Sequence, residues 1–211
     1  MNFVFAPSAI ISVPVIGQPE QFPVHRIYCV GRNYEEHAKE MGYTGREPPF
    51  FFLKPTDALV VVPEGQTGQI PYPSMTGNFH HEIELVVAIG KGGKNISKAD
   101  APKHIFGYTV FNDFSARDKQ IREMEGRMGP TKGKSFDTGN AMGPWIVTAD
   151  EIDGRQTRVR CWVNGELRQD GPTENMIFDI PTLIETISRG ITLYPGDIIA
   201  TGTPAGVGMG L

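Results

Sequence analysis

The run His80-His81-Glu82-Ile83-Glu84-Leu85-Val86-Val87-Ala88-Ile89-Gly90 constrains the fold of this chain more than any other. It reads as a strand, yet two acids occupy positions where a strand should carry hydrophobes. Side chains along a strand alternate between faces, so Glu82 and Glu84 project together, with Ile83 and Leu85 on the other side. Neighbouring carboxylates repel, and both stay ionised only if something compensates. Two readings are open. The pair is either a solvated acidic face, or part of a site for a divalent cation, since hard cations prefer oxygen ligands.

The rest of the 211-residue chain narrows the class. Its length suits one substantial domain or two small ones. Its net charge of −4 comes without a basic patch, so nucleic acid and anionic membrane are not expected partners. The 25 glycines and 17 prolines favour short strands and turns over a helix bundle. Cys29 and Cys161 lie in apolar runs and read as small buried hydrophobes, not as a disulfide or a metal pair. No positively charged leader precedes an apolar core, and no run is long enough to span a bilayer, so a cytoplasmic protein is expected.

Residues 1–24, punctuated by Pro14, Pro19 and Pro23, read as an N-terminal arm with short strands. A strand at 25–30 follows. Asn33 is a good helix cap, with Glu36 completing a capping-box-like pattern and Gly42 ending a helix of about two turns. Strands are expected at 50–55, 58–62 and 106–113, and a helix at 97–104. A second helix is expected to be capped by Ser115 and to run to about Met128. Residues 129–143 read as a long loop, a feature usually functional or disordered in a compact domain. A strand at 144–148 comes next. Asn164-Gly165 between two strand-like runs signals a type I′ hairpin. Ile180, Leu183, Ile184, Ile187 and Ile191 follow helical spacing, which predicts a helix over 179–189 with Asp179 near its cap, and a final strand covers 197–201. The pattern predicts a β-rich α+β fold.

Asp113, at the end of its strand, offers a third acid for an all-oxygen site with room for water or substrate oxygens. With Gly31-Arg32-Asn33-Tyr34…His37, Phe52-Leu53-Lys54-Pro55, His81-Glu82-Ile83-Glu84-Leu85, Asn112-Asp113-Phe114-Ser115-Ala116-Arg117-Asp118, Lys134-Ser135-Phe136-Asp137 and Thr201-Gly202-Thr203-Pro204-Ala205-Gly206-Val207-Gly208 in order, the chain from about Ile27 onward resembles the fumarylacetoacetate hydrolase family. Within it the chain is most similar to the acylpyruvate and fumarylpyruvate hydrolases.

The resemblance implies a mixed β-sheet roll with peripheral short helices, formed by residues 25–211 as the catalytic domain. Family members continue with one or two strands after the Gly-Thr-Pro loop, so those C-terminal strands are expected to be missing here. It implies Mg²⁺ (or Mn²⁺ or Ca²⁺) on Glu82, Glu84 and Asp113, and a homodimer. His37 and Glu40 become the catalytic pair of a lid helix, and Lys134 a fixed charge for developing negative charge. Arg32, Arg117, Gln120, Gly202 and Thr203 become substrate contacts. Tyr43, Arg46 and residues 127–134 are expected to set specificity. The implied reaction is hydrolysis of a 2,4-dioxo acid to pyruvate and a carboxylic acid. The same site suits isomerisation or decarboxylation of 2-hydroxyhepta-2,4-diene-1,7-dioate, or decarboxylation of oxaloacetate. A catalytically silent metal-binding homologue is the non-enzymatic alternative.

Overall fold

A computed structural model describes residues 2–208 of the protein. In chain order its elements are β1 Ser12–Pro14, β2 Gln21–Pro23, β3 Ile27–Gly31, α1 Glu35–Glu40, β4 Phe50–Lys54, β5 Leu59–Val61, β6 Phe79–His80, β7 Ile83–Ile89, β8 Ile105–Asp113, β9 Ser115–Ala116, α2 Arg117–Glu125, α3 Thr131–Lys134, β10 Asn140–Thr148, β11 Arg158–Val163, β12 Glu166–Pro172, α4 Ile180–Ser188 and β13 Ile198–Ala200.

Seven strands form one mixed sheet in the order β4-β3-β13-β7-β8-β10-β5. β13 runs parallel to β3 and antiparallel to β7, and β5 joins the far edge parallel to β10. The architecture is the β-rich α+β class that the strand count implied.

All seven residues of β7 are buried, because both faces of the sheet are covered. Leu85, Val87 and Ile89 pack with Leu183, Ile184 and Ile187 of α4. Val86 and Ala88 pack on the other face with Val13, Val15 and Phe22 of the β1–β2 hairpin. Alternation therefore puts Glu84 on the hairpin side, where its strand neighbours are apolar. α4 forms as its pattern predicts, except that Ile191 lies beyond its end and is exposed. Asp179 accepts from Thr182 N at 2.9 Å as the cap, and the apolar stripe is buried. Truncating Leu183 or Ile184 to alanine would cost about 2–5 kcal/mol by cavity formation. The Asn164-Gly165 turn is also as read, with φ of 51° and 86°.

Several local expectations are corrected. The strand from His80 to Gly90 is broken at residues 81–82, splitting into β6 and β7. Asn33 does not cap α1, whose N-cap is Tyr34 with no side-chain bond. Instead the buried Asn33 amide donates to Thr201 O (2.8 Å) and Phe178 O (3.1 Å) and accepts from Phe178 N (2.8 Å). Glu36 is exposed and no capping box forms. Ser115 lies in β9, where its hydroxyl donates to Glu82 and to Asp113 O, so it does not cap α2. Residues 97–104 contain only a short 3₁₀ turn, Ala101–His104. Residues 129–143 are no open loop, because they hold α3 and the start of β10. Both cysteines are free, with Cys29 buried and Cys161 only half-buried. No helix of the described residues is long and apolar enough to cross a membrane. The expectation about the chain's end, from Met209 to Leu211, lies outside the described residues.

Candidate active site

Strand pairing assembles the acids. The backbone N–H of Asp113 donates to Glu82 O at 2.8 Å, which brings the end of β8 beside the start of β7. Glu82, Glu84 and Asp113 thereby offer carboxylate oxygens within 4.8 Å of one another, all buried.

Cations and amides surround them. Lys134 Nζ donates to Glu82 Oε2 (2.6 Å) and Asp113 Oδ2 (2.9 Å). Lys54 Nζ donates to Asp113 Oδ1 (2.6 Å). Arg117 bonds Glu82 through Nη2, Gln120 through Nη1, and His80 Nδ1 through Nε. Burial opposes ionisation of Glu82, but the Lys134 and Arg117 charges outweigh it and hold its carboxyl well below the usual range. Burial likewise opposes the charge on Lys134, yet Asp113 and Glu82 raise its pKa. Burial and the Arg117 charge hold the His80 imidazole down to about 4. His80 is therefore neutral at pH 7, accepting from Arg117 while its Nε2 faces Asn78 Oδ1 at 2.6 Å.

Glu84 differs. Its hydrogen bond is the Gly202 N–H at 2.9 Å, and burial with Asp113 and Glu82 beside it pushes its carboxyl well above the usual range. Close enough to feel the Glu84 charge, the buried Tyr34 hydroxyl has no hydrogen-bond partner among the described residues. A buried acid without a cation of its own beside two converging carboxylates forms an oxygen-donor set that fits a hard divalent cation.

Helix α1 adds a dyad. His37 Nδ1 lies 2.9 Å from Glu40 Oε2, and Gly206 N donates to Glu40 Oε1 at 3.3 Å. Burial opposes the charge of Glu40, but its bond to His37 lowers its pKa on balance. Glu40 thus orients the imidazole and ties α1 to the Gly202–Gly208 loop.

The three carboxylates, His37, Glu40, Arg117 and Lys134 share one cavity of about 360 Å³. Of the residues singled out in the sequence, Arg32, His37, Glu40, Glu82, Glu84, Asp113, Arg117, Gln120, Lys134 and Thr203 line it, and so does Tyr43. Gly202 does not line it, and its amide serves Glu84. The Thr203 hydroxyl is already engaged, donating to Ile83 O (2.8 Å) and accepting from Gln169 (2.7 Å). Arg46 lies outside the lining, as does every residue of 127–133.

Sequence reasoning missed four supports. Lys54 was detectable, since a lysine in the apolar run Phe50-Phe51-Phe52-Leu53 must find a partner. Gln169 gave no local signal; it accepts from Ile83 N and donates to Thr203 and Pro204 O, pinning β12 to β7 and the last loop. His80 reads as half of an ordinary doublet. Glu123 accepts from the backbone of Lys132 (2.7 Å) and Gly133 (2.9 Å), clamping α3 to α2 so that Lys134 reaches the acids.

Residues 26–210 match the family described as Fumarylacetoacetate (FAA) hydrolase C-terminal. The fold superposes on a fumarylpyruvate hydrolase from Pseudomonas aeruginosa, solved in complex with Mn²⁺ and pyruvate, with a TM-score of 0.95 and 45% identity over 98% of this chain and 89% of that one. A 2-hydroxyhepta-2,4-diene-1,7-dioate isomerase from Mycobacterium marinum gives a TM-score of 0.74 and 38% identity over 93% of this chain and 68% of its own. An oxaloacetate tautomerase of Bacillus subtilis is 46% identical over 191 residues, which are 89% of this chain and 61% of that protein.

Proposed function

This chain belongs to the fumarylacetoacetate hydrolase family, and from that premise we propose that it is a metal-dependent hydrolase cleaving the carbon–carbon bond of a 2,4-dioxo acid, such as fumarylpyruvate, to pyruvate and a carboxylic acid. The observation that carries the reading is the dyad of buried His37 and half-buried Glu40, which opens on the same cavity as the three carboxylates and Lys134.

Glu82, Glu84 and Asp113 would hold the metal, Mg²⁺ by preference and Mn²⁺ or Ca²⁺ as alternatives. When bound it supplies Lewis acidity toward the substrate's carboxylate and 2-oxo oxygens.

The residues of the chain do the rest. Glu40 holds His37 Nδ1, which leaves Nε2 to take a proton from water. The hydroxyl adds to the distal carbonyl carbon, and the bond from that carbon to the pyruvyl methylene breaks. The electron pair goes to the pyruvate fragment, and the proton held by His37 completes its methyl group. Lys134, kept protonated by Glu82 and Asp113, stabilises the negative charge on that fragment. Arg117 fixes Gln120 by its carbonyl oxygen, leaving the Gln120 amide hydrogens as donors to substrate. The Glu40–Gly206 contact keeps the lid closed and excludes bulk water. A cytoplasmic homodimer is part of the same proposal.

Turnover of oxaloacetate is the second reading, supported by the name of the Bacillus subtilis relative. It uses the same dyad for proton transfer without adding water across a bond. The test follows acylpyruvate ultraviolet absorbance and pyruvate release, with oxaloacetate in parallel. Loss of absorbance with stoichiometric pyruvate, abolished by EDTA and restored by Mg²⁺ or Mn²⁺, is expected. Activity that persists without metal overturns the reading, and turnover of oxaloacetate alone replaces it with the second.

A further inference from the structure

Three acids and three cations share the buried floor of the cavity. Glu82, Glu84 and Asp113 are matched by Arg117, Lys134 and Lys54. Arg117 and Lys134 line the cavity, whereas Lys54 stands behind it, its side chain wholly out of contact with solvent. Lys54 Nζ donates to Asp113 Oδ1 (2.6 Å) and Phe114 O (3.3 Å) and lies 5.8 Å from the Phe136 ring centroid. Lys134 Nζ takes the other Asp113 oxygen and lies 5.5 Å from the Phe52 ring centroid. Carboxylates, a carbonyl and aromatic faces all stabilise an ammonium, so both lysines act as fixed charges. Asp113 is thus held at each of its oxygens by a lysine.

Charge balance decides what this set can accept. With all three acids ionised, as a divalent cation on them requires, the six buried groups carry no net charge. Arg32, Glu125 and Glu40, the last bonded to His37, also line the cavity, but they keep contact with solvent, which screens them. A divalent cation alone therefore adds positive charge to a buried set that is already neutral, and the low dielectric there magnifies the cost. A dianion arriving with it restores neutrality. The pyruvate fragment of the proposed cleavage is such a group, with its carboxylate and the electron pair from the broken bond.

We propose that Lys54, with Lys134 and Arg117, makes the metal site anion-dependent: the carboxylate triad holds a divalent cation weakly alone and tightly together with a chelating dianion. Coupling is reciprocal, so the dianion in turn binds tightly only to the metal-loaded protein. Lys54 is a positioning residue in this device, since it stands behind the cavity and acts through Asp113. The inference rests on the metal site of the hydrolase reading and not on the hydrolysis itself.

The experiment titrates Mn²⁺ into the protein by calorimetry, alone and with neutral methyl pyruvate, monoanionic pyruvate or dianionic oxalate. Electron paramagnetic resonance of free Mn²⁺ corrects for complexes in solution. Wild type binds Mn²⁺ about 10- to 100-fold tighter with oxalate than alone, with pyruvate intermediate and methyl pyruvate without effect. Lys54→Met binds Mn²⁺ alone about tenfold tighter than wild type and loses most of the oxalate enhancement. Lys54→Gln, which loses the charge but can still donate to Asp113, does the same, and Lys54→Arg keeps the wild-type pattern. A lysine needed only for structure would weaken metal binding when removed, the opposite direction. Weaker Mn²⁺ binding with an undiminished enhancement in Lys54→Gln therefore overturns the role of Lys54. Wild-type Mn²⁺ affinity indifferent to oxalate overturns the coupling while leaving the metal site, whether or not the variants fold. Failure to bind Mn²⁺ under every condition overturns both. If no acylpyruvate is cleaved, the hydrolase reading fails, and the coupling still stands or falls on these titrations.

Discussion

The placement of Lys134 depends on a hydrogen atom. Gly133 is not a left-handed glycine; what it supplies is contact. A Cβ added there would lie 2.6 Å from the N, Cα and Cβ of Gln120, where ordinary contact begins at 3.4 Å. Gly133→Ala therefore forces α3 and α2 apart by about 0.8 Å. It also strains the clamp that Glu123 makes on Lys132 and Gly133. Lys134 moves with α3, so its 2.6 and 2.9 Å bonds to Glu82 and Asp113 stretch to roughly 3.4 and 3.7 Å, beyond hydrogen-bond range. Breaking a buried pair outright costs about 3–5 kcal/mol. The long lysine stem follows part of the way, so the expected loss is about 2–3 kcal/mol. At about 2–4 °C per kcal/mol, Tm falls by about 4–12 °C for a chain of this size. A catalytic charge displaced by close to 1 Å costs about 100-fold in rate. Thermal unfolding and single-turnover acylpyruvate cleavage measure the two effects. Wild-type turnover with a lowered Tm would refute the role given to Lys134, and an unchanged Tm would refute the helix contact.

Other outcomes are expected from the same site and fold. His37→Ala keeps metal binding and loses about 10²–10⁴-fold in hydrolysis, read by calorimetric metal titration beside the absorbance assay; wild-type turnover would remove His37 from the chemistry. Mn²⁺ at about a hundred times its Kd stabilises the protein by about 2.7 kcal/mol, or about 5–11 °C in Tm, and Glu84→Gln abolishes that shift. A wild-type Tm indifferent to both Mn²⁺ and EDTA would show that the three acids are not a metal site. Asp179 has a burial penalty, but Lys98 and Thr182 lower its pKa on balance. Its capping contribution is thus complete above the ordinary aspartate value and lost as pH falls through the depressed one. Asp179→Ala should cost about 1 kcal/mol at neutral pH. The Tm gap between variant and wild type should close on acidification, and a gap independent of pH would contradict the cap.

What the sequence disclosed was local and periodic. Alternation placed Glu82 and Glu84 on one face, Asn164-Gly165 marked its hairpin, and the isoleucine and leucine spacing marked α4 with its cap. What it concealed depends on partners far along the chain. Asn33 looks like a cap because caps and buried amides use the same residue; its partners lie 145 and 168 residues away. Ser115 is a similar case, since its hydroxyl answers Glu82 across the β6–β9 pairing. α3 has four residues, too few to show a period, so the sequence around Lys134 reads as loop. Most of the residues that the family motifs single out line the cavity, but the motifs do not give the division of labour among them. Gly202 serves a carboxylate, and Lys54, named within a motif, supports Asp113.

The position of β13 bears on how the protein comes into being. This strand, residues 198–200, lies between β3 and β7 near the middle of the sheet, and the next residues supply the Gly202 amide to Glu84. During synthesis β3 and β7 emerge early but have no common partner until β13 leaves the ribosome. A nascent chain stalled before residue 198 holds two halves of a sheet with an open seam and a Glu84 carboxylate without its Gly202 amide. Closure of the sheet thus follows the pairing of β7 with β8, and the β7 amides that bond β13 should gain protection only after those that bond β8, once residues 198–200 are free to pair.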